Sequence, residues 1–456
     1  MPKSLPTPLE QSASVGRTSA ASGIGSGQCC SARQVGRGRA VAVMSRLAID
    51  RNFLKYLGAR IAAVFGDQLY FVVLSWSALR ASGVDGVTTA LVAATIPRAV
   101  LMLLGGVSSD RFGPRQIIFW SSMSRGVAVG CLAAILVFTR PTLLLLCVVA
   151  ALFGVLDGLY YPADSAMTPL LVSRPLFTKA NALRQVGQQV ALVAAGPVGG
   201  VLLASFGLST TLVVDASSFA LASVAIIVTR TARASSTTPR ATAGENGGAP
   251  KEDGGSPARA LWEGLAYSWR TPFVRAIVPT VIFAGFAFAG PANVGLPVLA
   301  AQERWGSSGF GLLLGGLGAG SVLGSLAMAA LRQPRRPGIT IMIALLLQAL
   351  GVGGCTRAGS AMTGALVLVI AGVGLGVGST VALASVQAVT EVRFLGRVMS
   401  LMALAMVGLA PVAYVTTGVL DEIVGVKAAL LLMAAMEAAV GMIGLTRSTI
   451  RLKLVS

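Results

Sequence analysis

The chain contains no histidine among its 456 residues. Imidazole is therefore excluded as a proton shuttle and as a metal ligand, so any proton relay must use carboxyl groups. There are only five cysteines, and their spacing is not that of a metal site: Cys29, Cys30, Cys131, Cys147 and Cys355. The sequence also lacks a phosphate loop of the form G-x-x-x-x-G-K-[ST]. These absences predict that the protein uses neither a metal ion nor ATP, and that it needs no cofactor.

Charged residues are also scarce, at 12% of the chain, whereas 54% of the residues are apolar. Soluble proteins have about 25% charged residues, so this composition cannot cover a domain of this size with a polar surface. The sequence therefore predicts an integral membrane protein whose immediate partner is the lipid bilayer.

Long apolar runs identify the membrane spans. A helix needs about 20 mostly apolar residues to cross a hydrocarbon core of about 30 Å, whereas strands of a membrane barrel need about 10. Twelve runs have the helical length: 57–80, 87–108, 116–138, 142–164, 184–205, 209–229, 274–300, 309–331, 338–357, 361–386, 398–420 and 426–446. We therefore predict an all-α membrane protein with twelve transmembrane helices in two six-helix halves.

The basic residues orient these spans. Of the 36 lysines and arginines, 28 are assigned to the termini and the even-numbered loops and five to odd-numbered loops, with basic residues at span ends counted in the adjoining loop; the other three are counted inside spans, at Arg60, Arg98 and Arg125. Lysine and arginine are enriched in cytoplasmic loops, so both termini are predicted to be cytoplasmic, in a multi-pass protein of the plasma membrane. The net charge of +19 then reflects topology, and no nucleic-acid partner is expected.

Polar segments divide the chain further. Residues 261–269 place Leu261, Trp262, Leu265 and Trp269 on one helical face, which predicts a helix at the membrane interface. The segment that begins at Met44 resembles an ordinary short amino-terminal segment before a first membrane span. We therefore hypothesise that translation starts at Met44, which mass spectrometry of the intact amino terminus tests. The predicted regions are a disordered cytoplasmic tail (1–50), the first half (51–230), a linker with the interfacial helix (231–272), the second half (273–447) and a cytoplasmic tail (448–456).

The loop after the second span carries a motif. Its sequence from Gly105 to Arg115, GGVSSDRFGPR, resembles the loop signature G-x-L-A-D-R-x-G-R-K of the major facilitator superfamily, which has the same plan of six spans, a linker and six spans. Pro114 departs from the signature, which has a basic residue there. The resemblance implies a cytoplasmic gate in which Asp110 faces a helix amino terminus in the other half. The gate residues would be Gly106, Asp110, Arg111, Gly113 and Arg115.

The fifth span contains a second motif, Gly196-Pro197-Val198-Gly199-Gly200. It is similar to the core of a motif in drug/proton antiporters of that superfamily, although Leu192 and Val201 stand where the full motif has glycines. The resemblance implies a kinked helix at Gly196, Pro197 and Gly200 that approaches a neighbour closely. Kinked packing without antiport remains an alternative.

Shorter stretches resemble the enterobactin-exporter and actinobacterial multidrug-efflux branch of the superfamily. They are Ile96-Pro97-Arg98, Gly154 to Gly158, Tyr161-Pro162-Ala163, Ala180 to Leu183, and Gly396 to Leu401. This resemblance implies a monomeric secondary transporter that exports drug-like or siderophore-like small molecules, driven by the proton gradient. Uptake, lipid-type transport on the same fold and a non-transporting scaffold or sensor remain alternatives. An enzyme is not expected, because the usual nucleophile–base pairs need histidine.

Charged residues inside the spans are the candidates for proton coupling, since a charge at mid-bilayer costs about 2.5–3.5 kcal/mol. Their depths predict a buried pair, either Asp67–Arg98 or Asp157–Arg125. Each pair is one of two things: a permanent structural ion pair, or a pair whose acid releases its arginine and binds a proton instead. Asp67 is the first candidate for such an acid. Asp215 is expected to reach the outer interface, and Glu437 either contacts a cationic substrate or extends between helices. The candidates are Asp67, Arg98, Arg125, Asp157 and Glu437.

Uncharged polar and aromatic residues at similar depth suggest the substrate cavity. They are Gln68, Phe71, Gln185, Gln189, Phe286 and Asn293. Such a cavity is mostly apolar and has few fixed hydrogen-bonding groups, which suits a bulky small amphiphilic substrate better than a sugar.

Overall fold

A computed structural model of the protein describes residues 51–172, 176–229, 266, 269–270, 272–331 and 334–446. All regular elements in these ranges are helical, and a π-helical turn at Pro291–Gly295 joins α5 to α6. The helices are α1 (Arg51–Phe112), α2 (Pro114–Phe138), α3 (Leu143–Leu171), α4 (Phe177–Val228), α5 (Pro272–Gly290), α6 (Leu296–Gln302), α7 (Gly306–Ala330), α8 (Pro337–Cys355), α9 (Ala361–Val389), α10 (Val392–Val424) and α11 (Val426–Thr446).

Several predictions concern residues outside the described ranges. They are the amino-terminal tail, positions 230–265 of the linker, and positions 447–456 at the carboxyl terminus. Most of the predicted interfacial helix lies there too. Trp269 is described, and it is helical and exposed, as an interfacial tryptophan would be.

Ten helical segments of the described chain are long and apolar enough to cross a membrane. Eight of them correspond to single predicted spans. The other two, Arg51–Met102 and Leu183–Val228, are 52 and 46 residues long, and each contains two predicted spans. The sequence predicts twelve separate helices, whereas the structure joins two pairs because the connecting residues are almost entirely helical.

A glycine interrupts each of these two long helices. In α1, Ser82 has φ −150° and ψ 25°, and Gly83 has φ 65° and ψ −150°. In α4, Gly207 has φ 78° and ψ −178°. Positive φ is accessible to glycine at little cost because glycine has no Cβ. Each long helix therefore consists of two helical arms joined by one or two non-helical residues.

The chain reverses direction at the break in α1. A methyl group built on Gly86 would lie 3.2 Å from the carbonyl carbon of Ala78, eight residues earlier. In a straight helix, eight residues would separate these positions by about 12 Å. Side chains from both arms, including Leu74 and Leu91, also share one core cluster. The two arms of α1 therefore fold back on each other.

The buried core has an amino-terminal and a carboxyl-terminal part. One cluster joins α1, α2, α3 and α4, and two others are built mainly from α5 to α11. Large apolar side chains cover the outside as well: Phe138 is 89% exposed, Leu144 75% and Ile423 72%. An apolar exterior of this kind suits contact with lipid chains and not with water.

Candidate functional site

The centre of the amino-terminal helices holds a buried arginine, Arg125 on α2, whose side chain is 0% exposed. Its Nη1 donates hydrogen bonds to Oδ1 of Asp67 on α1 at 2.5 Å and to Oδ1 of Asp157 on α3 at 2.9 Å. The Nη2 and Nε groups donate to the hydroxyl and carbonyl oxygens of Ser121 at 3.2 and 3.3 Å. One guanidinium group thus joins three helices through two carboxylates.

Arg98 forms the edge of this network. Its Nη1 lies 3.8 Å from Oδ2 of Asp157, and its side chain is 24% exposed. Of the two predicted pairings, the structure contains Asp157–Arg125, while Asp67 pairs with Arg125 and forms no described ion pair with Arg98.

Aromatic rings cover both arginines. The guanidinium of Arg98 lies 4.6 Å from the ring centre of Tyr161. That of Arg125 lies 4.6 Å from the ring of Tyr160 and 5.2 Å from that of Phe219. Cations over ring faces at such distances are stabilised by the ring quadrupole, and the rings also exclude water from the ion pairs.

Asp215 on α4 does not reach the interface, so that prediction is wrong. Its side chain is 0% exposed, and neither carboxyl oxygen has a hydrogen-bond partner in the described structure. A methyl group built on Gly66 of α1 would lie 3.1 Å from Oδ1 of Asp215. The second arm of α4 packs against α1 through this glycine and so buries the aspartate beside the Arg125 network.

A second charged cluster, which the sequence did not predict, surrounds Asp164 on α3. Its Oδ2 lies 2.6 Å from Nη2 of Arg184 and 3.3 Å from Nε of Arg60. The Tyr56 hydroxyl donates to Oδ1 at 2.5 Å, and Nη2 of Arg60 donates to Gln188 at 2.9 Å. Asp164 is 2% exposed, and it was not among the charged candidates predicted from the sequence. Arg60 is a cation inside a predicted span, and no partner was assigned to it. Its presence could have indicated a buried acid nearby.

Glu437, the remaining charged candidate, is buried in α11. It is 2% exposed, and its Oε1 has no hydrogen-bond partner among the described residues. It is distant in sequence from the arginine network and belongs to the carboxyl-terminal helices.

The predicted gate motif is described in part. The side chains of residues 103–111, which include Gly106, Asp110 and Arg111, lie outside the described part of the chain. Gly113 has φ 82° and separates α1 from α2. Arg115 donates to the carbonyl oxygens of Ile226 at 3.3 Å and Ile227 at 2.6 Å. These carbonyls are in the last turn of α4, where the Thr229 N–H donates to that of Ile226 at 3.2 Å, so Arg115 adds a side-chain cap to that helix end.

The glycine motif of α4 packs directly against α7. A methyl group on Gly200 would lie 2.9 Å from the Cα of Gly311, and one on Gly196 would lie 2.8 Å from the Cβ of Leu314. These separations leave no room for side chains. Residues 177–206 keep helical dihedral angles around Pro197, and the break in α4 is at Gly207. The motif therefore provides the predicted close approach, whereas the departure from helical geometry lies about two turns further along.

A small cavity lies beside this contact, between α1, α4, α7 and α9. Its volume is about 70 Å³, and its lining is mostly apolar, with Gln68 and Ser321 as the polar residues. Of the predicted substrate residues, only Gln68 lines it. Gln189 donates to Ser321 at 3.5 Å, Asn293 donates to the carbonyl of its own helix at Ala289, and Gln185 is exposed.

The two predicted aromatic cavity residues are also placed elsewhere. Phe71 packs against the amino-terminal core, and Phe286 lies 6.0 Å from Phe283 within α5. Depth along a helix was predicted from the sequence, but the direction in which each side chain points was not. The predicted set is therefore not gathered around this cavity.

Comparison with solved structures shows the fold. A mutant of the nucleoside transporter NupG superposes with a TM-score of 0.67 at 10% identity, covering 86% of this chain and 99% of NupG. A bacterial homolog of the human lysosomal transporter Spinster, in an inward-facing and unoccupied conformation, gives 0.66 at 14% identity and covers 90% of this chain and all of that chain. Both are transporters, and the likeness concerns the fold alone.

Sequence comparison finds curated relatives of the predicted branch. The multidrug efflux pump Tap of Mycolicibacterium fortuitum is 25% identical over 302 residues, which are 64% of this chain and 70% of Tap. The enterobactin exporter EntS of Salmonella typhi is 24% identical over 253 residues. That second match spans 55% of this chain and only 57% of EntS.

A sequence profile of the Major Facilitator Superfamily matches residues 56–414, from the first helix almost to the end of α10. This range contains the Arg125 network, the Asp164 cluster and the contact between α4 and α7. Together with the fold, it indicates a transporter of small molecules in a lipid bilayer and not an enzyme. The chain belongs to the major facilitator superfamily.

Proposed function

We propose that this protein is a proton-coupled exporter of drug-like or siderophore-like amphiphiles that works by alternating access. The observation that carries the proposal is the sharing of one donor atom, Nη1 of Arg125, by Asp67 and Asp157 on two different helices. A fixed structural pair needs one carboxylate for one arginine. Two acids that compete for one nitrogen allow a small helix movement to release one of them.

Proton coupling follows from the surroundings of this pair. Asp67 is 5% exposed and Asp157 is 3% exposed, so a carboxylate that loses Arg125 stays in apolar surroundings. A buried ion without a partner is strongly disfavoured, and the released acid binds a proton instead. Asp67 is the proposed coupling acid, because Arg98 remains near Asp157 when Arg125 moves.

The proposed topology has twelve crossings in two six-helix halves. The helical segments of 52 and 46 residues would be about 78 and 69 Å long if straight, more than twice the hydrocarbon thickness. Each has a non-helical break near its middle, at residues 82–83 and 207, which divides it into two arms of spanning length. Together with the bias of basic residues, this supports cytoplasmic termini in the plasma membrane.

The substrate class is proposed from the cavity and from the relatives. The cavity lining is apolar except for Gln68 and Ser321, which favours an amphiphile over a sugar. Tap is described as a multidrug efflux pump and EntS as an enterobactin exporter. A volume of about 70 Å³ is too small for such a molecule, since ligand pockets occupy about 300–1,000 Å³. We therefore propose that α4 and α7 separate to admit substrate.

The two motifs are given roles in this cycle. The loop motif at Gly106, Asp110, Arg111, Gly113 and Arg115 is proposed to close the cytoplasmic side. The glycine motif on α4 is proposed to form the opposite closure against α7, where Gly200 and Gly311 touch. The protein is proposed to act as a monomer, powered by the proton gradient and without a cofactor.

The second candidate is transport in the opposite direction or of a lipid-type substrate, and the third is a non-transporting sensor or scaffold. An expression host that lacks its own pumps, screened for altered drug susceptibility, identifies a substrate. Inverted vesicles from the same cells then test direction and energy source. Accumulation that an uncoupler abolishes supports export, whereas no uncoupler-sensitive movement of any amphiphile would support the scaffold.

A further inference from the structure

Asp215 on α4 is buried where an ionised carboxylate has nothing to pair with. It is 0% exposed, and both of its carboxyl oxygens lack hydrogen-bond partners among the described residues. Gly66 of α1 and Phe219, one turn further along α4, pack at this site. The burial comes from protein atoms, so it does not depend on the surrounding lipid. A carboxylate without a cation or a donor is strongly disfavoured in such a place.

Other titratable groups face this region from three of the helices packed against α4, whereas the fourth, α7, contributes none among its described residues. They are Asp67, Tyr70 and Arg98 from α1, Arg125 from α2, and Cys147 and Asp157 from α3. The two arginines are already engaged by Asp67 and Asp157. The Tyr70 hydroxyl is buried as well and has no partner in the described structure. Asp215 therefore lies beside an ion network without being part of it.

The charges of this group do not balance. Asp67, Asp157 and Asp215 would contribute three negative charges, while Arg98 and Arg125 contribute two positive charges. The surplus cation of the Asp164 cluster is held by Asp164 and Gln188 and pairs with none of these three acids in the described structure, so a proton on one of the three carboxyl groups neutralises this group. Asp67 and Asp157 each have a cationic partner within 2.9 Å, whereas Asp215 has none among the described residues.

We propose that Asp215 is the proton-binding carboxyl group of this network. The proton comes from water: an O–H bond forms on the Asp215 carboxylate, a hydronium ion becomes water, and the reverse step releases the proton. The site stores one proton next to the two acids that compete for Arg125. Its role as a store for the transported proton rests on the proposed function, whereas the proton site itself does not.

Infrared spectroscopy tests the site without a substrate. The full-length protein in lipid vesicles is compared with Asp215→Asn and with two matched carboxyl-to-amide variants, Glu303→Gln and Glu437→Gln. Glu303 is partly exposed and pairs with Lys427 at 2.7 Å, away from the buried network, so its replacement is the control for loss of a carboxyl group elsewhere in the protein. We expect a C=O stretching band of a protonated carboxyl group at neutral pH that disappears in Asp215→Asn and persists in Glu303→Gln. A band unchanged in Asp215→Asn overturns the proposal.

Two further measurements keep the test decisive. Asn has nearly the same shape as protonated Asp, so Asp215→Asn is expected to fold. If it does not fold, Asp215→Glu replaces it and is expected to shift the same C=O band. An unshifted band in Asp215→Glu overturns the proposal. Glu437→Gln assigns any band that arises from Glu437, another buried acid with an oxygen that lacks a hydrogen-bond partner in the described structure. Because none of these spectra requires transport, they remain interpretable if the wild type shows no proton-driven movement, a result that would contradict the proposed function alone.

Transport assays test the role of the stored proton. In vesicles, the ratio of accumulation driven by a pH gradient to substrate exchange without a gradient is expected to fall at least tenfold in Asp215→Asn, because its side chain cannot release a proton. Undiminished driven accumulation would show that Asp215 does not carry the transported proton, and would overturn that part of the proposal.

Discussion

Nη1 of Arg125 lies 2.5 Å from Oδ1 of Asp67, although 58 positions separate the two residues in sequence. The contact ties α1 to α2, and the same nitrogen reaches Asp157 on α3. A movement of α1 relative to the other two helices therefore changes which acid Arg125 neutralises. In this way the geometry links helix position to the charge of a buried carboxyl group.

Replacing Arg125 with leucine is expected to destabilise the protein by about 3–5 kcal/mol, because two buried acids lose their cation. Unfolding by heat or denaturant in detergent measures the change. The matched control is Arg357→Leu, at an exposed arginine, which is expected to change stability by less than about 0.5 kcal/mol.

Removing one acid should restore part of the stability that Arg125→Leu loses. The double variant Arg125→Leu, Asp67→Asn keeps one of the two buried acids, Asp157, beside Arg98 at 3.8 Å. It is therefore expected to be more stable than Arg125→Leu alone. A double variant as unstable as the single one would show that charge balance does not govern this network.

The Asp164 cluster is expected to be structural. Asp164→Asn leaves Arg60 and Arg184 facing each other without their shared anion, whereas Tyr56→Phe removes a hydroxyl donor from a carboxylate that keeps both arginines. Tyr56→Phe should cost about 1–3 kcal/mol, and Asp164→Asn should cost more. Thermal unfolding of the two variants gives the order, and the reverse order would contradict this assignment.

The close approach of α4 and α7 should tolerate no side chain. In Gly200→Val, even the Cβ would lie 2.9 Å from the Cα of Gly311, so the helices must separate and transport is expected to fall at least tenfold. Gly58→Val on α1 is the matched control, because a Cβ there has no neighbour within 4 Å. Vesicle transport, normalised to the amount of folded protein, compares the two; equal activity would argue against a closure at this contact.

The break in α1 is expected to require glycine. Gly83 has φ 65° and ψ −150°, a conformation that is essentially restricted to glycine and costs another residue about 1–3 kcal/mol. Gly83→Val and Gly83→Asn should therefore each lower the free energy of unfolding by that amount. If both variants unfold at the same temperature as the wild type, the turn does not have this backbone geometry.

The helical architecture could be predicted because the length of an apolar run directly reflects the thickness of the bilayer. The number of separate helices was harder to predict, because Gly83 and Gly207 turn the chain within one or two residues and leave no polar loop. The pairing of Asp157 with Arg125 was one of the two alternatives that depth predicted. Asp215 was misjudged and Asp164 was missed, because depth does not show which neighbouring helix a side chain faces.

The same limit explains the cavity residues. Gln185 and Gln189 are one turn apart on α4, yet Gln185 is exposed while Gln189 reaches Ser321 on α7. Which of the two faces a partner depends on how α4 is rotated against α7, and the contacts of Gly196 and Gly200 fix that rotation. The periodicity of the sequence predicts which residues share one face of a helix. Which neighbouring helix that face contacts depends on how the helices pack.

Coupling of a proton gradient to export by Asp67 is measured in driven transport by Asp67→Asn. Purified wild type and variant are placed in vesicles loaded with an amphiphile identified by the susceptibility screen, and a pH gradient is imposed. If Asp67 is the coupling acid, Asp67→Asn is folded and exchanges substrate between the two sides but no longer moves it against its gradient, while the wild type does. Concentrative, uncoupler-sensitive transport by Asp67→Asn at the wild-type level would show that Asp67 is not the coupling acid.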